Sequence, residues 1–238
     1  MFYLITFLTP IALLAGIYVY NWQNRLPVKL LLASFCMGLL SVILYTCILM
    51  SAKQSAGSLH EHNILIQSTS SAMLHAAIPE EFIKWIMLTI LLVIGHLRKL
   101  YHTHYDIIIC AVAVSMGFAA FENVMFLIDN DNMIRSVLAR ALGAVPGHCC
   151  NAIWMGYFCA IAKFEPSKRW YAIPLCLIVP MLLHFNYDIF IEITDHIDNV
   201  WLFWITSLLL CEVYNIGVCI LSFKLLKKAK RIRILRES

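Results

Sequence analysis

Seven runs of roughly twenty mostly apolar residues constrain this chain more than any other feature: Phe2–Tyr20, Val28–Met50, Ile78–Gly95, Tyr105–Ile128, Ile134–Ala162, Trp170–Ile193 and Val200–Phe223. A hydrocarbon core about 30 Å thick takes around 20 helical residues to cross. Inside it every backbone N–H and C=O must be satisfied within the protein, which makes each run a helix. The fold class expected is all-α: a polytopic transmembrane helical bundle of about seven spans. The fifth run is too long for one simple span, and Gly143, Pro146 and Gly147 are expected to kink or break it. The segment 63–77 carries Ile64, Leu65, Ile66, Met73 and Leu74 among polar residues and leads into Pro79, so an interfacial or re-entrant helix there would make eight membrane segments.

Composition excludes the soluble alternative. Of 238 residues 61% are hydrophobic and 13% charged, where a soluble domain carries about 25% charged residues. No stretch is long or polar enough for a separate soluble unit, so residues 1–238 are read as one integral-membrane domain. The nine cysteines lie almost entirely in apolar runs without CxxC spacing, and read as buried small hydrophobes. Phe2–Tyr20 has no basic stretch before it and no small-residue cleavage pattern after it, and reads as a retained helix.

Loop charge sets an expected orientation. Arg25 and Lys29, Arg98 and Lys99, Lys163, Lys168 and Arg169, and the basic segment 224–238 with Lys224, Lys227, Lys228, Lys230, Arg231, Arg233 and Arg236 all fall on one side. The opposite loops carry Lys53 and Arg135 but also Asp129, Asp131, Glu192, Asp195 and Asp198. The positive-inside rule then puts the N-terminus outside and the C-terminal tail in the cytoplasm. The tail reads as an anchor against the anionic headgroups of the lipid bilayer, with no nucleic-acid partner.

Against this apolar background Glu80, Glu81, Lys84, Glu122, His184 and Asp188 are out of place. A carboxylate near the centre of a span costs roughly 2.5–3.5 kcal/mol, which a fold tolerates when such groups meet one another or water. In the expected topology they share a level somewhat outside the bilayer centre, and His148, just after the Pro146–Gly147 break, joins them. Glu80 to Lys84 and His184 to Asp188 are i,i+4 pairs that stack on one helical face. Phe118 stands one turn from Glu122, and Gly117, Ala119 and Ala120 leave that helix narrow enough for close approach. Peptide hydrolysis in a membrane needs a held water, a base, a donor to the oxyanion and an acid for the leaving amine, and these residue types supply them.

Glu80-Glu81-Phe82-Ile83-Lys84 is an EExxK motif, Phe118 to Glu122 is FxxxE and His184 to Asp188 is HxxxD. Their order on successive hydrophobic spans resembles the PrsW family of intramembrane proteases, within the superfamily of CAAX prenyl proteases and bacteriocin-immunity membrane proteins. The resemblance covers about residues 78–188. It implies an endopeptidase that cuts a single-pass membrane protein, often an anti-sigma factor, near the outer face of a bacterial plasma membrane. By that resemblance the catalytic residues are Glu80, Glu81, His184, Asp188 and Glu122, supported by Lys84 and His148. Glu80 is the preferred base, with Glu81 beside it in the water-activating pair. His184 assists and Asp188 orients it or contributes to oxyanion stabilisation. CAAX-type enzymes carry histidine in the second motif where this chain has Glu122, which argues against a prenylated substrate.

Other readings stand beside this one. Glu80, Glu81 and Lys84 form an interfacial salt-bridge cluster if they merely begin a helix, where the macrodipole favours acids. Metal-independent glutamate chemistry is preferred because no HExxH motif is present, so no cofactor is favoured. The alternative is a zinc protease with His148, His184 and Glu122 as ligands. Outside that class stand a proton-coupled transporter and a non-catalytic membrane scaffold. Arg140 and Glu212 also lie in apolar runs and belong to no motif.

Overall fold

A computed structural model of the chain describes residues 2–21, 26–55, 69–97, 100–128, 133–195 and 199–237. Among these residues the secondary structure is helical throughout, with no strand. The helices are α1 (Phe2–Tyr20), α2 (Val28–Ser55), α3 (Ile78–Leu97), α4 (His104–Ile128), α5 (Met133–Ala139), α6 (Val145–Phe164), α7 (Arg169–Asp195), α8 (Val200–Ser207) and α9 (Val213–Glu237). Among the described residues four segments are long and apolar enough to cross a membrane: Phe2–Tyr20, Val28–Cys47, His104–Ile128 and Pro166–Glu192. The protein is an all-α integral-membrane bundle.

The hub is α4. In its spanning window 83% of residues are buried, against 17–22% in the other three, so α4 is surrounded by protein while those three face outward. It packs chiefly on α2, α6 and α1. Its first turn is fixed by a reciprocal cap: Asp106 accepts from the His102 and Thr103 N–H groups at 2.9 and 2.8 Å, and its own N–H donates to Thr103 Oγ1 at 3.1 Å. The expected close approach is made at Gly117, which lies against Gly38 of α2. A Cβ on Gly38 would run into the Val114 carbonyl, and one on Gly117 into that of Phe35. On the other side, a Cβ on Gly156 of α6 would stand 2.7 Å from Ile108 Cα.

Three helices are entered through wide, π-helical turns: Ser71–Ala77 before α3, Arg140–Ala144 between α5 and α6, and Leu208–Glu212 between α8 and α9. Each adds a residue to the helical turn without breaking the rod. The expected break near Pro146 takes this form. Pro146 has no N–H to give, and it sits at the start of α6, directly after the widened turn. The segment 71–77 likewise runs directly into α3, with the Ile78 N–H bonded to the Met73 carbonyl, so this part is no separate re-entrant helix; residues 63–68 lie outside the described residues. Glu80 and Glu81 therefore stand within a continuous helical run, not at a free helix N-terminus. Macrodipole stabilisation of an exposed start does not account for them. The basic segment continues α9 as helix through Glu237. Of the loop residues used for orientation, Arg25, Arg98, Lys99, Asp129, Asp131 and Asp198 lie outside the described residues.

Candidate active site

Four helices bring the out-of-place side chains together. From α3 come Glu80, Glu81 and Lys84, only 4%, 1% and 1% exposed. The Lys84 ammonium lies 2.9 Å from Glu81 Oε1 and 3.3 Å from Glu80 Oε2. It also reaches His148 Nδ1 of α6 at 3.1 Å and stands 4.0 Å above the Phe118 ring of α4. Three hydrogens thus meet three acceptors. Phe118 walls the cluster as its spacing from Glu122 suggests.

The tautomer of His148 follows from its neighbours. An ammonium only donates, so Nδ1 is bare and Nε2 carries the hydrogen. That Nε2–H donates to Glu122 Oε2 at 2.9 Å. The main chain is held too, with Ser115 Oγ donating to the His148 carbonyl at 2.9 Å.

His184 of α7 faces His148 edge-on, ring centroids 5.2 Å apart at 89°. Its Nδ1 lies 2.9 Å from Glu81 Oε1 and donates to it. Its Nε2 then faces Asp188 Oδ2 at 3.2 Å and Glu80 Oε2 at 3.9 Å, yet Asp188 Oδ2 has no hydrogen-bond partner. A nitrogen lone pair against a carboxylate oxygen at that distance is repulsive. A cation at Nε2, a proton or a metal ion, turns it into an attraction. Glu81 Oε2 is a second buried oxygen without a hydrogen-bond partner.

Glu80, His148 and His184 offer one ligand atom each, all within 4.8 Å of one another. This group contains both histidines of the set expected from sequence, with Glu80 in place of Glu122. The reason is geometric: Glu122 lies behind His148, against Arg140 Nη2 at 2.6 Å. Each histidine has one nitrogen held by a carboxylate, His148 Nε2 by Glu122 and His184 Nδ1 by Glu81, as is usual for metal-ligating histidines. With all four carboxylates ionised and both imidazoles neutral, Glu80, Glu81, Glu122 and Asp188 against Lys84 and Arg140 leave two negative charges uncompensated, the charge of one divalent ion. The donor set of two imidazoles and a carboxylate suits zinc.

Every site residue expected from sequence thus falls in one cluster. Sequence reasoning did not place Arg140 and Asn123 in it. Arg140 Nε donates to Asn123 Oδ1 at 2.6 Å, and Asn123 Nδ2 donates to the Thr6 carbonyl of α1 at 3.1 Å. A buried arginine in an apolar run was the one available signal. The cluster is near the Thr6 end of α1, whereas Lys230 Nζ donates to the Tyr20 carbonyl at its other end at 3.0 Å. Fourteen residues of helix separate the two levels, about 21 Å.

Fold and site define a helical integral membrane protein whose buried acids and bases, three of them placed where they could hold a metal ion, converge from separate helices. Residues 26–214 match the family described as PrsW family intramembrane metalloprotease. The chain is 31% identical to Protease PrsW of Geobacillus kaustophilus over 180 residues, 75% of this chain and 74% of that protein. It is 32% identical to Protease PrsW of Bacillus subtilis over 183 residues, 75% of this chain and 77% of that one. No solved structure matches it. The chain belongs to the PrsW family and is a peptidase, an intramembrane protease.

Proposed function

We propose that this protein hydrolyses a peptide bond of a single-pass membrane protein, an anti-sigma factor being one such substrate, with a divalent ion of the zinc class held by Glu80, His148 and His184. The observation that carries the reading is the convergence of these ligand atoms within 4.8 Å from α3, α6 and α7. The metalloprotease description of the matched family supports it. When bound, the ion supplies Lewis acidity toward water and toward the scissile carbonyl.

The protein's own residues do the rest. Glu81 Oε2, buried and unbonded, accepts the proton of the attacking water and returns it to the leaving amine, while Oε1 holds the His184 Nδ1–H. This shifts the base from Glu80, preferred on sequence, to its neighbour. Glu122 holds the His148 Nε2–H. Lys84 balances Glu80 and Glu81, and a ligand role for His148 Nδ1 leaves it those two carboxylates. Asp188, a fifth exposed, stands 3.2 Å from His184 Nε2 and adds negative charge beside the proposed ion. The Phe118 ring excludes water from the inner side.

The same reading makes residues 1–238 one integral-membrane domain of seven spans, with the motif core over 78–188. The N-terminus is outside, the basic segment 224–238 is in the cytoplasm, and the membrane is a bacterial plasma membrane. Gathering of lysines at one end supports this orientation: Lys228 lies over Tyr157 and Lys163 over Tyr101 at 5.5 and 4.9 Å, and Lys230 reaches Tyr20. The cluster then lies toward the outer face.

The test is cleavage of a tagged single-pass substrate by purified protein in detergent or vesicles, comparing wild type, Glu80→Gln and His148→Ala before and after chelation. Loss of cleavage in both variants, with chelated wild type restored by zinc, is expected. Undiminished cleavage after complete metal removal overturns the metal role, and equal cleavage by Glu80→Gln overturns its place in the site.

A further inference from the structure

Arg140 is a charged side chain that the proposed chemistry does not use. It is 9% exposed and sits on the widened turn Arg140–Ala144. One turn of α4 grips its guanidinium. Nε donates to Asn123 Oδ1 at 2.6 Å, Nη2 lies 2.6 Å from Glu122 Oε2, and Cζ stands 5.1 Å from the centre of the Phe126 ring. The oxygen facing Nη2 is the one that accepts from His148 Nε2. Arginine and histidine therefore share a single carboxylate oxygen.

The widened turn makes this sharing feasible. Arg140 and His148 are eight residues apart, which on a regular α-helix leaves them about 80° out of line. A π-helical turn absorbs one residue, so the spacing behaves as seven residues and the offset falls to about 20°. Both side chains then face Glu122 from one side of the α5–α6 rod. Asn123 fixes the far edge of the guanidinium through its bond to the Thr6 carbonyl.

We propose that Arg140 is a positioning residue: it clamps Glu122 so that this carboxylate holds the His148 ring with Nε2 protonated and Nδ1 turned toward Glu80 and His184. Without the clamp, the half-buried Glu122 carboxylate turns outward, and His148 loses the partner that fixes its tautomer. Outer partners of this kind change metal affinity by about 10- to 100-fold when removed. The inference rests on the proposed site, and the experiment keeps the two apart.

The experiment uses full-length protein in detergent, stripped of metal and titrated with Co²⁺, comparing wild type, Arg140→Gln, Arg140→Lys, Glu122→Gln, the Arg140→Gln/Glu122→Gln double variant and Asn123→Ala. Substrate kcat and KM are measured on the same set. Arg140→Gln is expected to weaken Co²⁺ binding about 10- to 100-fold and to lower kcat with little change in KM. The double variant is expected to be no weaker than Glu122→Gln alone, since the two act as one unit, and Arg140→Lys to recover part of the loss. Asn123→Ala, which removes the Nε partner of Arg140 and the bond to α1 but leaves the Arg140–Glu122 ion pair, is expected to lower thermal stability with a smaller effect on Co²⁺. Additive losses, a KM effect alone, or an equal Co²⁺ loss in Asn123→Ala would each overturn the clamp. If wild type binds no Co²⁺, the metal reading fails, and the clamp is judged on whether the kcat losses of Arg140→Gln and Glu122→Gln are non-additive.

Discussion

Glu80 and Glu81 are sequence neighbours, and a helix sets neighbours about 100° apart, so one helix turn can offer two carboxylates to different partners. Glu80 turns toward the space between the two imidazoles, while Glu81 spends one oxygen on Lys84 and His184 and keeps the other unbonded. Replacing Glu81 by Gln is expected to lower kcat by about 10²- to 10⁴-fold, the usual worth of a general base, with KM nearly unchanged; steady-state cleavage kinetics check it, and a pure KM effect contradicts it. Lys84 is the counter-charge of both acids and 1% exposed. Lys84→Met leaves uncompensated buried carboxylates and is expected to cost about 3–5 kcal/mol, read as a lowered unfolding midpoint in detergent. The i,i+4 rule makes Glu80 with Lys84 and His184 with Asp188 legible from spacing, and the observed distances are 3.3 and 3.2 Å. The same rule cannot reach Arg140, whose partners lie on another helix.

At the scale of the element, the α2–α4 crossing places Phe118 and Glu122. Gly38 and Gly117 let the two backbones touch, and a side chain on either meets main-chain carbonyls that cannot rotate aside. Gly117→Val is therefore expected to destabilise the bundle by at least the 1–3 kcal/mol or so typical of overpacking, with cleavage falling as the α4 wall shifts. Gly16→Val in α1, where no atom lies within 4 Å of the added Cβ, is the control and is expected to behave as wild type. Thermal unfolding and cleavage of the two variants check the pair. Helix positions were readable from the apolar runs, and Gly117 from its small neighbours. The widened turns were not, because hydrophobic periodicity over a few residues does not distinguish a π-helical turn from a kink. Their effect is large here: one precedes the glutamate pair, and another aligns Arg140 with His148.

For the whole molecule, the bundle surrounds α4 with apolar helices and reserves one level for ionisable groups, opposite the end where Lys163, Lys228 and Lys230 gather. A reporter active only in the cytoplasm, fused after Ser238, is expected to be active, and the same reporter before Met1 inactive; the reverse pattern contradicts the orientation. All-α architecture and the gathering of Glu80, Glu81, Lys84, Glu122, His148, His184 and Asp188 were legible in the sequence because burying a charge in lipid is costly enough to leave a mark, whereas the places of Arg140 and Asn123 were not. Which carboxylate joins the histidines was not, since that depends on Arg140 drawing Glu122 aside. The most direct test of the central claim is the metal content of purified protein, measured by mass spectrometry alongside cleavage. One tightly bound divalent ion per active wild-type chain, lost with activity in Glu80→Gln and His184→Ala, is predicted. Wild-type protein that cleaves at full rate while containing no metal would contradict it.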